Sequence, residues 1–177
     1  MKSILITGGT GLIGSGLVKS IDKSIYKVYV LTRKKPYVEN EVDYINWDPD
    51  KSILDISHIK NLYSVINLAG QSIDGSRWTK KYKQKILESR VNSTRLLFNK
   101  IKEREQLPKS FISASATGFY SENTVSPQNE NDKPGNNFLS GVVKEWEKEI
   151  SRFNSIGIRT TVFRIGLVLS KDGGVLK

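Results

Sequence analysis

The chain contains no cysteine, which excludes a disulfide framework, a thiol nucleophile and thiolate metal sites. Its one histidine, His58, sits in a polar turn without a cluster of ligand-type neighbours. His58 therefore reads as a surface residue and not as a ligand or general base. Long apolar runs are missing as well. The first, Ile4-Leu5-Ile6, stops at glycine and is far too short for a signal segment. No stretch approaches the length that spans a bilayer. No repeat or low-complexity segment marks a linker. A soluble, cytoplasmic, single-domain protein over residues 1–177 is the expectation, since a chain of this size with 37% hydrophobic residues can bury one full core.

Acidic residues are scarce beside basic ones, and the formal net charge is +10. Much of the excess lies between Lys80 and Lys109, where only Glu88, Glu103 and Glu105 oppose the cations. A basic face of this kind can attract nucleic acid or an anionic cofactor. No helix-turn-helix, zinc-finger or RNA-recognition signature accompanies it, so it reads as the solvated face of a helix.

What is present alternates between strand and helix. Residues 3–7, 26–31, 42–47, 63–69, 110–113 and 159–165 are short apolar or β-branched runs. Helical spacing covers residues 12–21, 79–104 and 138–153, with Gly157 expected to end the last. About ten residues separate the second and third strands, room for a loop or a single turn and not for a crossover helix. Residues 121–137 read as a surface loop. In the helix at 79–104, Ser89, Arg90, Asn92 and Ser93 fall where a core helix would carry apolar groups. Such alternation gives an α/β fold, a Rossmann-like doubly wound parallel sheet.

Gly8-x-x-Gly11-x-x-Gly14 follows the first strand directly and opens the first helix. Glycine at these places allows a tight turn, close backbone approach to a pyrophosphate, and close helix–sheet packing. The helix N-terminus adds free N–H groups and partial positive charge. The second strand ends in Thr32-Arg33-Lys34-Lys35, where a carboxylate would favour NAD. A hydroxyl and three cations suit a 2′-phosphate instead, with Arg33 able to hold it in a bidentate way, so the expected cofactor is NADP(H).

Further segments occur in a fixed order: Asn67-Leu68-Ala69-Gly70, Arg77-Trp78-Thr79, Ser89-Arg90-Val91-Asn92-Ser93-Thr94, Ser113-Ala114-Ser115-Ala116-Thr117-Gly118, Trp146-Glu147 and Arg164-x-Gly166-x-Val168-Leu169. With the glycine motif, they resemble the atypical short-chain dehydrogenase/reductases of the "epimerase family" branch, relatives of NAD-dependent epimerase/dehydratases. The resemblance implies that Thr10, Leu12 and Ile13 line the pyrophosphate and that Thr32 and Arg33 meet the 2′-phosphate. It places Trp47 and Asp48 near the adenine, although Trp47 reads equally well as a core or rim aromatic. Leu68, Ala69 and Gly70 pass the nicotinamide ribose. It further implies a C-terminal substrate lobe beyond Lys177, with residues 172–177 as its approach, so that the chain is an N-terminal portion. Related enzymes pair through their two long helices, which makes a homodimer an open arrangement here; the charge on the first helix weighs against it.

Reductases and epimerases of this superfamily use a tyrosine with a lysine four residues later, because a cation stabilises the phenolate. Ser115 stands where their substrate-orienting serine belongs. Aligned on Phe138, the lysine place holds Val142; aligned on Leu139, it holds Val143. A candidate replacement is Tyr120 with Arg90 and Ser115, and the alternative is a structural tyrosine. Two function classes stay open: an NADP(H)-dependent oxidoreductase or epimerase-like enzyme acting on a small carbonyl or hydroxyl compound, and a non-catalytic NADP(H)-binding regulatory or interaction protein.

Overall fold

The computed structural model describes residues 1–121, 126–171 and 173–174. Parts of the expected 121–137 loop and of the 172–177 segment lie outside the described residues. The first strand, β1 (Lys2–Thr7), is followed by α1 (Leu12–Ser20) and β2 (Tyr26–Thr32). Then come β3 (Tyr37–Glu39), β4 (Val42–Asp48), β5 (Ile53–Leu54) and β6 (Leu62–Asn67). The long helix α2 (Lys80–Lys102) leads to β7 (Ser110–Ala116), α3 (Phe138–Ser151) and β8 (Arg159–Ile165). A small hairpin, β9 (Leu169–Ser170) with β10 (Gly173–Gly174), closes the described chain.

Neighbouring strands run in the order β3-β4-β2-β1-β6-β7-β8, with β5 attached to β4. All neighbours from β4 to β8 are parallel, whereas β3 and β5 pair with β4 antiparallel. The segment expected as a loop between the second and third strands thus contains a short strand. Its hairpin turn, Asn40-Glu41, lies in the left-handed region at φ 50° and 62°, and Tyr37 stacks on Tyr44 at 4.2 Å.

Alternating residues of the central strands feed two cores. Leu5, Leu31, Val65 and Phe111 pack with Leu97, Ile101, Trp146 and Ile150 of α2 and α3 on one face. Ile4, Ile6, Val28 and Val30 pack with Val18 of α1 on the other. Burial on both faces explains why these strands read as continuous apolar runs. The edge strand β8 is different, with Val162 and Phe163 exposed. Gly157 does not cap α3: the helix ends at Ser151, a short 3-10 turn follows, and Gly157 at φ 82° closes that turn.

A polar knot crosses the first core. The Thr7 hydroxyl donates to Asn67 Oδ1 at 2.8 Å, and Asn67 Nδ2 donates to Thr94 and Ser113, both at 3.1 Å. Trp146 Nε1 donates to the same Thr94 oxygen at 3.1 Å. Thr7, Asn67, Thr94 and Ser113 are fully buried. Removing one member strands the others without water to replace it. Asn67→Leu is therefore expected to lower the unfolding free energy by about 3 kcal/mol, read from urea denaturation. A loss below about 0.5 kcal/mol would show that the knot is not holding the strands to the helices.

Candidate active site

The strand order reverses between β1 and β6, which opens a crevice at the C-terminal ends of the parallel strands. A cavity of about 410 Å³ occupies it. Of the residues expected at a cofactor, Gly8, Thr10, Gly11, Thr32, Arg33, Trp47, Leu68, Ala69 and Gly70 line this cavity. Leu31, Lys34, Pro49, Gln71, Ser89 and Ser93 complete it. Two larger depressions, about 710 and 700 Å³, lie toward the opposite ends of the strands and contain none of the expected residues.

The remaining four expected cofactor residues are not part of the wall. Leu12 and Ile13 belong to the first turn of α1, and Gly14 is buried behind the loop. A side chain at Gly14 would collide with the Gly8 carbonyl oxygen. Asp48 instead accepts from the Asp50 and Lys51 amides and caps the turn after β4. Trp47 is 5% exposed and belongs to the core, and it also borders the cavity.

Local geometry fits the glycine motif. Gly8 has φ +68°, and a Cβ there would lie 2.7 Å from the Leu68 carbonyl group. The Gly11 amide donates to Gly8 O at 3.0 Å. No side chain caps the N-terminus of α1, so its first amides have no side-chain acceptor. The polar residues in the middle of α2 also find their reason here. Ser89 Oγ accepts from the Gln71 amide at 3.0 Å, and Ser89 and Ser93 border the cavity.

The proposed trio of Ser115, Tyr120 and Arg90 is not joined by hydrogen bonds. Ser115 is 4% exposed and donates to Glu147 Oε1 at 2.5 Å. Arg164 grips Glu147 through Nε and Nη2, each at 2.9 Å, and donates from Nη1 to the Tyr120 hydroxyl at 2.8 Å. Sheet register explains this pairing: Ser115 on β7 lies beside Arg164 on β8, and Glu147 of α3 receives both. The phenol thus has Arg164 as its cationic partner in place of Arg90. Arg90 Nη1 donates to Gln71 O and Ile86 O, both at 3.0 Å, and its guanidinium lies 5.5 Å from the Trp146 ring. Burial pushes the Arg90 pKa down. Glu147 and Arg164 belong to the Trp-Glu and Arg-x-Gly motifs, but nothing in sequence spacing shows that they meet. His58 is exposed, as expected, with an edge contact to Tyr29. No metal-ligand cluster and no helix long and apolar enough to cross a membrane occur among the described residues.

Burial pushes the Glu147 carboxyl up, but the Arg164 and Ser115 hydrogen bonds and the Arg164 charge together outweigh it, holding it below the ordinary glutamate value. A carboxyl depressed in the folded state stabilises fully above its unfolded pKa, and that share is lost as pH falls through the folded value. Glu147→Gln is expected to cost about 1–3 kcal/mol at neutral pH, discounted for partial solvent access. It should also flatten the acid limb of the stability–pH curve below about pH 4. Identical acid limbs for the two proteins in urea titrations would refute this role of the pair.

Comparison with known proteins identifies the family. The model of the NAD dependent epimerase/dehydratase family matches residues 4–144. An epimerase family protein of Staphylococcus aureus (strain MRSA252) is 40% identical over 179 aligned residues, covering 100% of this chain and 59% of the relative. A Staphylococcus saprophyticus epimerase family protein is 41% identical, covering 99% and 58%. The chain thus spans about three-fifths of the length of these curated relatives. Among solved structures, the human epimerase family protein SDR39U1 (isoform 2) with NADPH superposes with a TM-score of 0.83 at 27% identity, covering 98% of this chain and 57% of that one. A nucleoside-diphosphate sugar epimerase from Corynebacterium glutamicum gives 0.81 at 30% identity, covering 99% and 36%. With a family model that matches residues 4–144, most of its length, the chain belongs to the NAD dependent epimerase/dehydratase family.

Proposed function

We propose that the protein binds NADP(H) in the crevice and serves as the cofactor-binding part of an oxidoreductase or epimerase-like enzyme acting on a small carbonyl or hydroxyl compound in the cytoplasm. The observation that carries the cofactor reading is the end of β2. Thr32, Arg33 and Lys34 border the cavity, and no carboxylate lies within 4.0 Å of Arg33, Lys34 or Lys35 among the described residues. Free cations at that edge match a 2′-phosphate, whereas a ribose 2′-hydroxyl calls for an acceptor. The human relative solved with NADPH supports the same choice. Gly8, Thr10, Gly11 and the first amides of α1 at Leu12 and Ile13 would hold the pyrophosphate, and Leu68, Ala69 and Gly70 the nicotinamide ribose. When bound, the nicotinamide supplies hydride chemistry.

The chain's own hydroxyl groups here are Ser115 and Tyr120, joined through the Glu147–Arg164 pair. With its O–H given to Glu147, Ser115 keeps only lone pairs, so it can accept from a substrate hydroxyl but not donate to a carbonyl. That same bond, the 4% exposure of Ser115 and the lack of a tyrosine–lysine pair favour a second reading, an NADP(H)-binding protein without turnover.

Titration with NADPH and NADH, followed by energy transfer from Trp47, tests the cofactor reading. NADPH should bind at least about tenfold more tightly, and Arg33→Asp should remove that preference while NADH binding persists. Equal or tighter binding of NADH by the native protein would overturn it.

A further inference from the structure

Parallel pairing of β2 and β4 sets Asn46 directly beside Thr32. From there the Asn46 carboxamide reaches across to the basic turn. Its nitrogen donates to Lys34 O at 2.9 Å and to Arg33 O at 3.3 Å. Both amide hydrogens are therefore used on consecutive carbonyls of one turn. From the other side, Thr32 Oγ1 accepts from the Lys34 amide at 3.2 Å. Arg33 and Lys34 both border the cavity, and the turn that carries them is thus fastened at three backbone atoms by two side chains.

Two physical effects follow. A free carbonyl oxygen near a phosphate repels it, and Asn46 engages the carbonyl oxygens of both Arg33 and Lys34. Ordering a basic turn at the moment of binding costs affinity, and a turn already ordered avoids that cost. Both effects act only on a ligand carrying an anionic group at this place.

We propose that Asn46 is a specificity-determining positioning residue, which holds the Arg33-Lys34 turn ready for the cofactor's 2′-phosphate and so sets the preference for NADPH over NADH. The inference rests on the NADP(H) reading above and adds a residue that need not touch the cofactor. NADH, lacking the phosphate, gains nothing from the turn's shape.

Asn46→Ala, titrated with NADPH and NADH beside the native protein, separates the possibilities. The expected result is NADPH binding about tenfold weaker, in line with two lost hydrogen bonds, with NADH changed less than about twofold. Asn46→Asp, nearly identical in size, should weaken NADPH further, since it sets a carboxylate against two carbonyls and near the phosphate. It also serves if the alanine variant does not fold. A merely structural Asn46 would weaken both cofactors in parallel, and that outcome, or an unchanged NADPH-to-NADH ratio, overturns the proposal. If the native protein itself fails to prefer NADPH, the NADP(H) reading is what falls. If native preference is intact and the variants retain it, only the role of Asn46 falls.

Discussion

The crevice depends on one buried hydroxyl. Thr7, at the end of β1, donates to Asn67 and accepts from the amides of Leu68 and Ala69, each at 3.1 Å. The Leu68 amide also reaches Thr7 O at 3.2 Å. These bonds pull the chain leaving β6 across the glycine turn, so closely that Gly8 has no room for a Cβ. Asn67 then carries the restraint into the core, to Ser113 on β7 and Thr94 on α2, and Trp146 of α3 meets Thr94 in turn. Two walls of the cavity are thus fixed by one continuous, buried set of hydrogen bonds. In such surroundings each bond is strong, and each missing partner is costly.

Three arginines illustrate how pairing decides what a cation can do. Arg164 is held by a carboxylate at two nitrogens, and its charge is spent inside the protein. Arg90 donates to two carbonyl oxygens and lies over an aromatic face, so it braces the Gln71 backbone against α2. Arg33 is exposed at the cavity edge without an acidic partner among the described residues. Of the three, Arg33 is the one whose charge is available to an incoming anion, and its turn is the one braced from a neighbouring strand.

Local signals were legible in the sequence where their cause is local. The glycine spacing, the apolar runs of β1 and β2, and the basic end of β2 each follow from a few adjacent residues, and Gly8, Gly11, Thr32 and Arg33 do come together. The strand β3 was not legible, because three residues of an edge hairpin carry little burial pattern: one is half-buried and two are exposed. Nor was the partner of Tyr120. Arg164 lies 44 residues away, and its approach is set by the β7–β8 register and not by spacing. Asn46 was silent for the same reason, since a strand asparagine acquires meaning only when the neighbouring strand brings carbonyls within its reach. Ser89 and Ser93 were visible as an anomaly in α2 without their explanation, which is the cavity they border.

The loss of the tyrosine–lysine pair is better understood as an exchange of charge patterns than as a simple deletion. In the usual arrangement, a lysine cation stands beside the phenol from the same helix. Here α3 contributes the opposite sign, Glu147, and the cation arrives from β8 as Arg164. The carboxylate accepts a hydrogen bond from the Ser115 hydroxyl and the arginine donates to Tyr120, so one ion pair orders both oxygen atoms at once. A bidentate arginine–carboxylate pair is rigid and resists proton transfer, because each partner stabilises the other's charged form. Such a cluster suits holding hydroxyl groups in fixed orientation more than exchanging protons with a substrate. On the proposed reading, the demanding chemistry would rest with the cofactor, and function would turn on the residues proposed to select it, Arg33 and Asn46 among them.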